Sequence, residues 1–254
     1  MQLTFVGGVA RSDARLVATQ IGATPGWAAL PVELGFHCEP RGVGDLIEGR
    51  ITLAGFREAM GERWWNDRLE RIVSAQQFAA SLERLTSNYE REPVTSCRQL
   101  IEDLLEPFAE SSGKPGLVEA TPEVLAAAPT LDRLFGDANF VHAVRDGREV
   151  AVRDGGKGQT PGELLAGVER WADSLRHIDA GVRVREDGAV YGVWPERLRV
   201  AVLRAQEPAD AWWHGLSRRE RRRITRRYVR TLRSLADDGV HCAPELVELV
   251  ELEG

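Results

Sequence analysis

The sequence predicts an α/β protein built on a parallel sheet flanked by helices, with helix predominating. Short apolar segments recur along the chain: "QLTFVGGV", "GLVEATP", "NFVHAV" and "AVYGVW". Longer stretches with apolar residues at helical spacing separate them. Strands that alternate with helices pair in parallel, because each helical crossover returns the chain to the same end of the sheet. A length of 254 residues fits one such domain, 1–254.

Residues 2–9 read as a buried strand ending in glycines. A helix follows over about 12–22, with Leu16, Val17 and Ile21 on one face and Gly22 near its end. Residues 23–49 are rich in Pro and Gly and read as loop with short helical pieces. A helical segment is expected over about 53–109, interrupted at Pro93 and Pro107. Residues 116–122 read as a second strand, "LDRLFG" as a helical turn, and 139–144 as a third strand. An amphipathic helix over 161–179 carries Trp171, Leu175 and Ile178, and 189–194 reads as a fourth strand. The C-terminal part, about 210–252, is expected to be helical. Its Arg-rich helix, 217–236, places Ile224, Tyr228, Leu232 and Leu235 on one stripe, and a short helix runs from Pro244 to Leu252.

Composition narrows the function classes. The net charge of −6 argues against a nucleic-acid binder, and the arginines of 217–236 read as a solvated face, with contact to a nucleotide phosphate as the alternative. No apolar stretch approaches the ~20 residues that span a bilayer, so no membrane partner is expected. "MQLTFVGG" has no secretion signal. Cys38, Cys97 and Cys242 are scattered without zinc-like spacing, so the expectation is no metal and a reduced, cytoplasmic compartment. Only two lysines occur, and the Arg, Ala, Val and Gly bias suggests a high-GC bacterial genome.

Two stretches carry chemistry. "FVGGVARSDARL" joins a strand to a helix through a Gly-containing turn, where backbone N–H groups and the helix dipole favour an anion. Arg11 adds a charge and Ser12 a hydroxyl donor; the loop is not a Walker A motif. "NFVHAVRDGREVAV" ends a strand at Arg145 and follows it with Arg148, the form of a strand-end anion site or of a turn with surface arginines. The Trp64–Trp65 and Trp212–Trp213 pairs must each point two ways, and "GGKGQTPGE" reads as a flexible loop and candidate lid.

Taken in order, these stretches resemble the PAPS-dependent sulfotransferases of the bacterial branch (PAPS is 3′-phosphoadenosine-5′-phosphosulfate). The branch's opening "GxxRSGTTLL" corresponds to "GGVARSDARLV", matching at Arg11 and Ser12. Its Pro-x-Glu stretch corresponds to "LPVELGFH", its "EKTP" to "VEATP", and its "hxxRDGRDVAxS" to "FVHAVRDGREVAVR". "VERWADSL" matches its Trp-bearing helix, and "WWHGLSRRERRRITRRYVRTLRSLADDGV" loosely matches its C-terminal helix. The resemblance covers most of the chain, and "RDGRxVA" is its most specific piece.

The resemblance implies a P-loop-kinase-like (sulfotransferase-like) sheet with PAPS across the C-terminal strand ends. It implies sulfuryl transfer to a hydroxyl or amine of a small-molecule acceptor, in secondary metabolism, and leaves a homodimer open. Arg11 and Ser12 would hold the 5′-phosphosulfate, and Arg145 the 3′-phosphate. Glu33 would be general base, with His37 as the competing base.

The chain departs from the family at donor-contact positions. The loop glycine is Asp13, its threonines are Ala14 and Arg15, the lysine of "EKTP" is Ala120, and the serine partnering the 3′-phosphate arginine is Arg153. Two readings stand. In one, Arg15 and Arg153 replace the lost hydroxyls with charge and PAPS still binds. In the other, the fold no longer uses PAPS and does other chemistry or acts as a binding or partner subunit.

Overall fold

The first strand, β1 (Gln2–Gly8), is the middle of a five-stranded sheet in this computed structural model. The structure describes residues 1–155, 159–186, 189–192, 197–203 and 215–251. Beside β1 lie β3 (Gly116–Glu119) and β4 (Asn139–Arg145), with Gln2 opposite Gly116 and Thr4 opposite Asn139. Beyond them lie β2 (Trp27–Ala29) and β7 (Leu198–Leu203), and every pair is parallel. The order β2-β3-β1-β4-β7 bears out the α/β expectation.

Strand alternation divides the interior. Val6, Val118 and Ala143 face α1 (Ala14–Gly22), which buries Ala14, Val17 and Ala18 against them. Leu3, Phe5, Leu117 and Phe140 face the other way, into a cluster with the helices α3 (Leu53–Asn66), α4 (Ala75–Asn88), α5 (Pro93–Ser112) and α6 (Ala128–Leu134). Val144 joins a further cluster with α7 (Gly147–Gly155), α8 (Pro161–Val182), α9 (Arg218–Asp237) and α10 (Ala243–Glu251). The expected stripe of α9 holds: Ile224, Tyr228, Leu232 and Leu235 are all buried.

Several expectations are corrected. Residues 189–192 do form a strand, but it pairs antiparallel with β5 (Arg183–Glu186) as β6 (Ala189–Gly192), outside the main sheet. The main sheet takes "LRVAVL" instead, a run of the apolar and β-branched residues that suit a buried parallel strand. Within 23–49, three residues form β2, and α2 (Val43–Ile47) supplies one of the short helical pieces. The expected break at Pro93 holds: α4 ends at Asn88 and Pro93 begins α5, where its missing N–H is an unbonded first-turn position. Pro107 lies inside α5; the buried face of Leu100, Ile101, Leu104 and Leu105 outweighs the ~3 kcal/mol that an interior proline costs. "RDGREVAV" continues into helix α7, for which no helix was expected. The middle of the expected 155–163 loop and the Trp212–Trp213 pair lie outside the described residues. Of the other pair, Trp64 packs on Phe78 while Trp65 is exposed.

Candidate functional site

A crevice forms at the carboxyl ends of parallel strands where successive connections diverge to either side. Here that point is the end of β1, flanked by β3 and β4. Gly8 lets the loop fold back over β4: a β-carbon there would come within 2.3 Å of the Ala143 carbonyl and 2.5 Å of Ser12 Oγ. The chain then passes through left-handed backbone at Arg11 (φ 68°) and Asp13 (φ 60°) before α1 begins.

That turn aims Asp13 at two arginines. Arg145 donates to its Oδ2 at 2.5 Å and Arg153 donates to the same oxygen at 2.8 Å. Arg145 also donates to Glu149 at 2.9 Å. The Arg145 side chain is 3% exposed and that of Asp13 32%. The α7 helix makes this cluster, because Glu149 and Arg153 are four residues apart and share a face. Asp13 occupies the N-cap position of α1, but its side chain makes no capping hydrogen bond; the carboxylate is turned to the arginines instead. Two guanidinium groups and two carboxylates leave the cluster with no formal net charge.

Of the other residues expected at the donor, Arg11 is exposed and Ser12 is buried over Gly8. Arg15 belongs elsewhere. Its guanidinium donates to the Pro31 carbonyl at 2.8 Å and lines a cleft of about 310 Å³ with Glu33, Arg68 and Arg71. Burial raises the Glu33 pKa above the ordinary value; Arg15 opposes the shift, while Glu119, Glu123 and Glu39 add to it. Glu33 is exposed to the cleft, whereas His37 is fully buried between the edges of Phe5 and Phe36. Arg148, flagged with Arg145 in the sequence, is held by Asp146 and stacks over Tyr228 at 4.7 Å.

Sequence reasoning missed two polar clusters. Glu119, at the end of β3, is 1% exposed and accepts from the Leu34 amide (3.2 Å) and the Thr121 hydroxyl. His37 Nε2 lies 3.5 Å from its other oxygen. The second cluster is on the opposite face of β4 from Arg145. His142 Nδ1 is 2.8 Å from His241 Nε2, and Asp179 Oδ1 is 2.8 Å from His241 Nδ1. Burial first, then His241, holds the His142 pKa down at about 3, so its ring is neutral. The Cys242 thiol beside them is fully buried, and that burial pushes it up to about 12. Neither group has a motif spacing, since the fold alone brings the residues together.

In comparison with known proteins, no family model matches the chain, and no curated protein does.

Proposed function

We propose that this is a sulfotransferase-like protein of P-loop-kinase-like architecture, transferring a sulfuryl group from PAPS to a hydroxyl or amine of a small molecule. One observation carries the reading: Arg145 and Arg153 converge on a single anionic oxygen at the carboxyl end of the sheet. Forked guanidinium groups placed in this way suit a phosphate. The central position of β1, with its loop at the carboxyl end of the sheet where ligands of such sheets bind, supports the same reading. Glu33 is the base that fits the reaction. It takes the acceptor's proton as the acceptor atom attacks sulfur, the donor's S–O bond breaks, and adenosine 3′,5′-bisphosphate leaves. A raised pKa makes this carboxylate a better proton acceptor.

A second reading has its own observation. The anion between the arginines is the chain's own Asp13, so a 3′-phosphate must displace it. If it cannot, the crevice serves another ligand or a binding role. Calorimetry with adenosine 3′,5′-bisphosphate and ATP separates the two. The first reading expects micromolar, 3′-phosphate-dependent binding that is lost in Arg145→Ala and tightened in Asp13→Asn. Binding by Asp13→Asn alone supports the second reading. Binding by neither form of the protein ends the PAPS reading.

A further inference from the structure

We infer that His142, His241 and Cys242 form a binding site for one zinc-class divalent cation, with Asp179 holding His241 in place. The three ligand atoms lie within 4.8 Å of one another. Around tetrahedral zinc, with metal–nitrogen bonds of about 2.0–2.1 Å, two ligand nitrogens stand about 3.3 Å apart. The His142 and His241 nitrogens are at 2.8 Å, so the rings need to part by only about half an ångström.

The surroundings fit a metal in three ways. First, Asp179 is 2.8 Å from His241 Nδ1 and accepts from the His241 amide at 2.9 Å. This fixes the proton on Nδ1 and leaves the lone pair on Nε2, the atom facing His142; a carboxylate behind a metal-bound histidine has the same role. Second, His142 and Cys242 are fully buried while the His241 side chain is 18% exposed, which gives a dry site with one open side. Third, a thiolate and the Asp179 carboxylate together offset a double positive charge. Two nitrogens and one sulfur select a borderline or soft cation over magnesium or calcium, and three protein ligands leave a fourth position for water. Binding releases one proton, from the Cys242 thiol; the His142 proton moves from Nδ1 to Nε2. The ion would tie β4 to the end of α8 and to the turn between α9 and α10, on the far side of the sheet from the Arg145 cluster. The expectation of no metal came from cysteine spacing, which cannot register ligands 99 residues apart.

Cobalt(II) and zinc(II) test the site in the full-length, chelator-treated, reduced protein. One equivalent of cobalt should give tetrahedral visible bands and a near-ultraviolet thiolate-to-cobalt band, both abolished by zinc. Zinc should also raise the melting temperature. Cys242→Ser should remove the thiolate band, and Asp179→Asn should keep it while weakening affinity about 10–100-fold. If Cys242→Ser does not fold, the Cys38→Ala/Cys97→Ala variant decides: a retained band supports the site and a lost band overturns it. Absence of the band in folded wild-type protein, or its persistence in folded Cys242→Ser, also overturns the proposal.

Discussion

Asp13 combines a left-handed backbone, a bridging carboxylate and a place at the carboxyl end of the sheet. Asparagine tolerates that backbone nearly as well, so Asp13→Asn isolates the charge. Arg145 keeps Glu149 and Asp13 is part-exposed, so the loss should be about 1–2 kcal/mol in urea unfolding, below the 3–5 of a fully buried pair. Glu33 gives a pH prediction. Its pKa is raised in the folded protein, so with Glu33 as the proposed base, catalysis should fail as pH falls through a value above the usual one for a glutamate. The same shift disfavours the ionised form, so stability is lost as pH rises through the raised value and regained on acidification. Glu33→Gln should therefore abolish the acid limb of the rate profile and raise the melting temperature at neutral pH but not in acid. At this scale the residue types at the strand ends were legible, but their partners were not. From sequence alone Asp13 opposes an incoming phosphate; in the fold it bridges two arginines, because the turn sets its direction.

The α7 helix shows where element prediction stops. "RDG" reads as a turn, yet the Asp146 carboxylate accepts from the Arg148 amide at 2.7 Å and supports the start of a helix. Gly147 is needed there because a β-carbon would fall within 2.4 Å of the Trp171 ring, and its amide donates to Tyr228 at 3.1 Å. Tyr228→Phe leaves that buried amide without its acceptor. Denaturant unfolding should show a loss of about 1–3 kcal/mol with an unchanged slope. Arg153, carried by the same helix, should then hold Asp13 less firmly. Long amphipathic elements such as α8 and α9 were legible because many residues report one period. The β2 strand has only three residues, and pairing with β3 defines it, which no local pattern encodes.

For the whole molecule, fold class was legible but strand order was not, since order depends on pairings between distant segments. The central strand is paired on both sides, and Phe5 stacks against Phe140 at 5.5 Å. Hydrogen exchange should therefore find the β1 amides the slowest in the chain, opening only with global unfolding, while β2 at the edge exchanges through local opening. Fast exchange of β1 would mean that the sheet does not unfold as one unit. The same arrangement has a consequence during synthesis. The partners of β1 begin at Gly116 and Asn139, so at about 5–20 residues per second β1 waits on the order of ten seconds for a neighbour. Through that interval an apolar segment with two bare hydrogen-bonding edges is outside the ribosome or in its exit tunnel, and a chaperone that shields extended apolar chain would be its first companion.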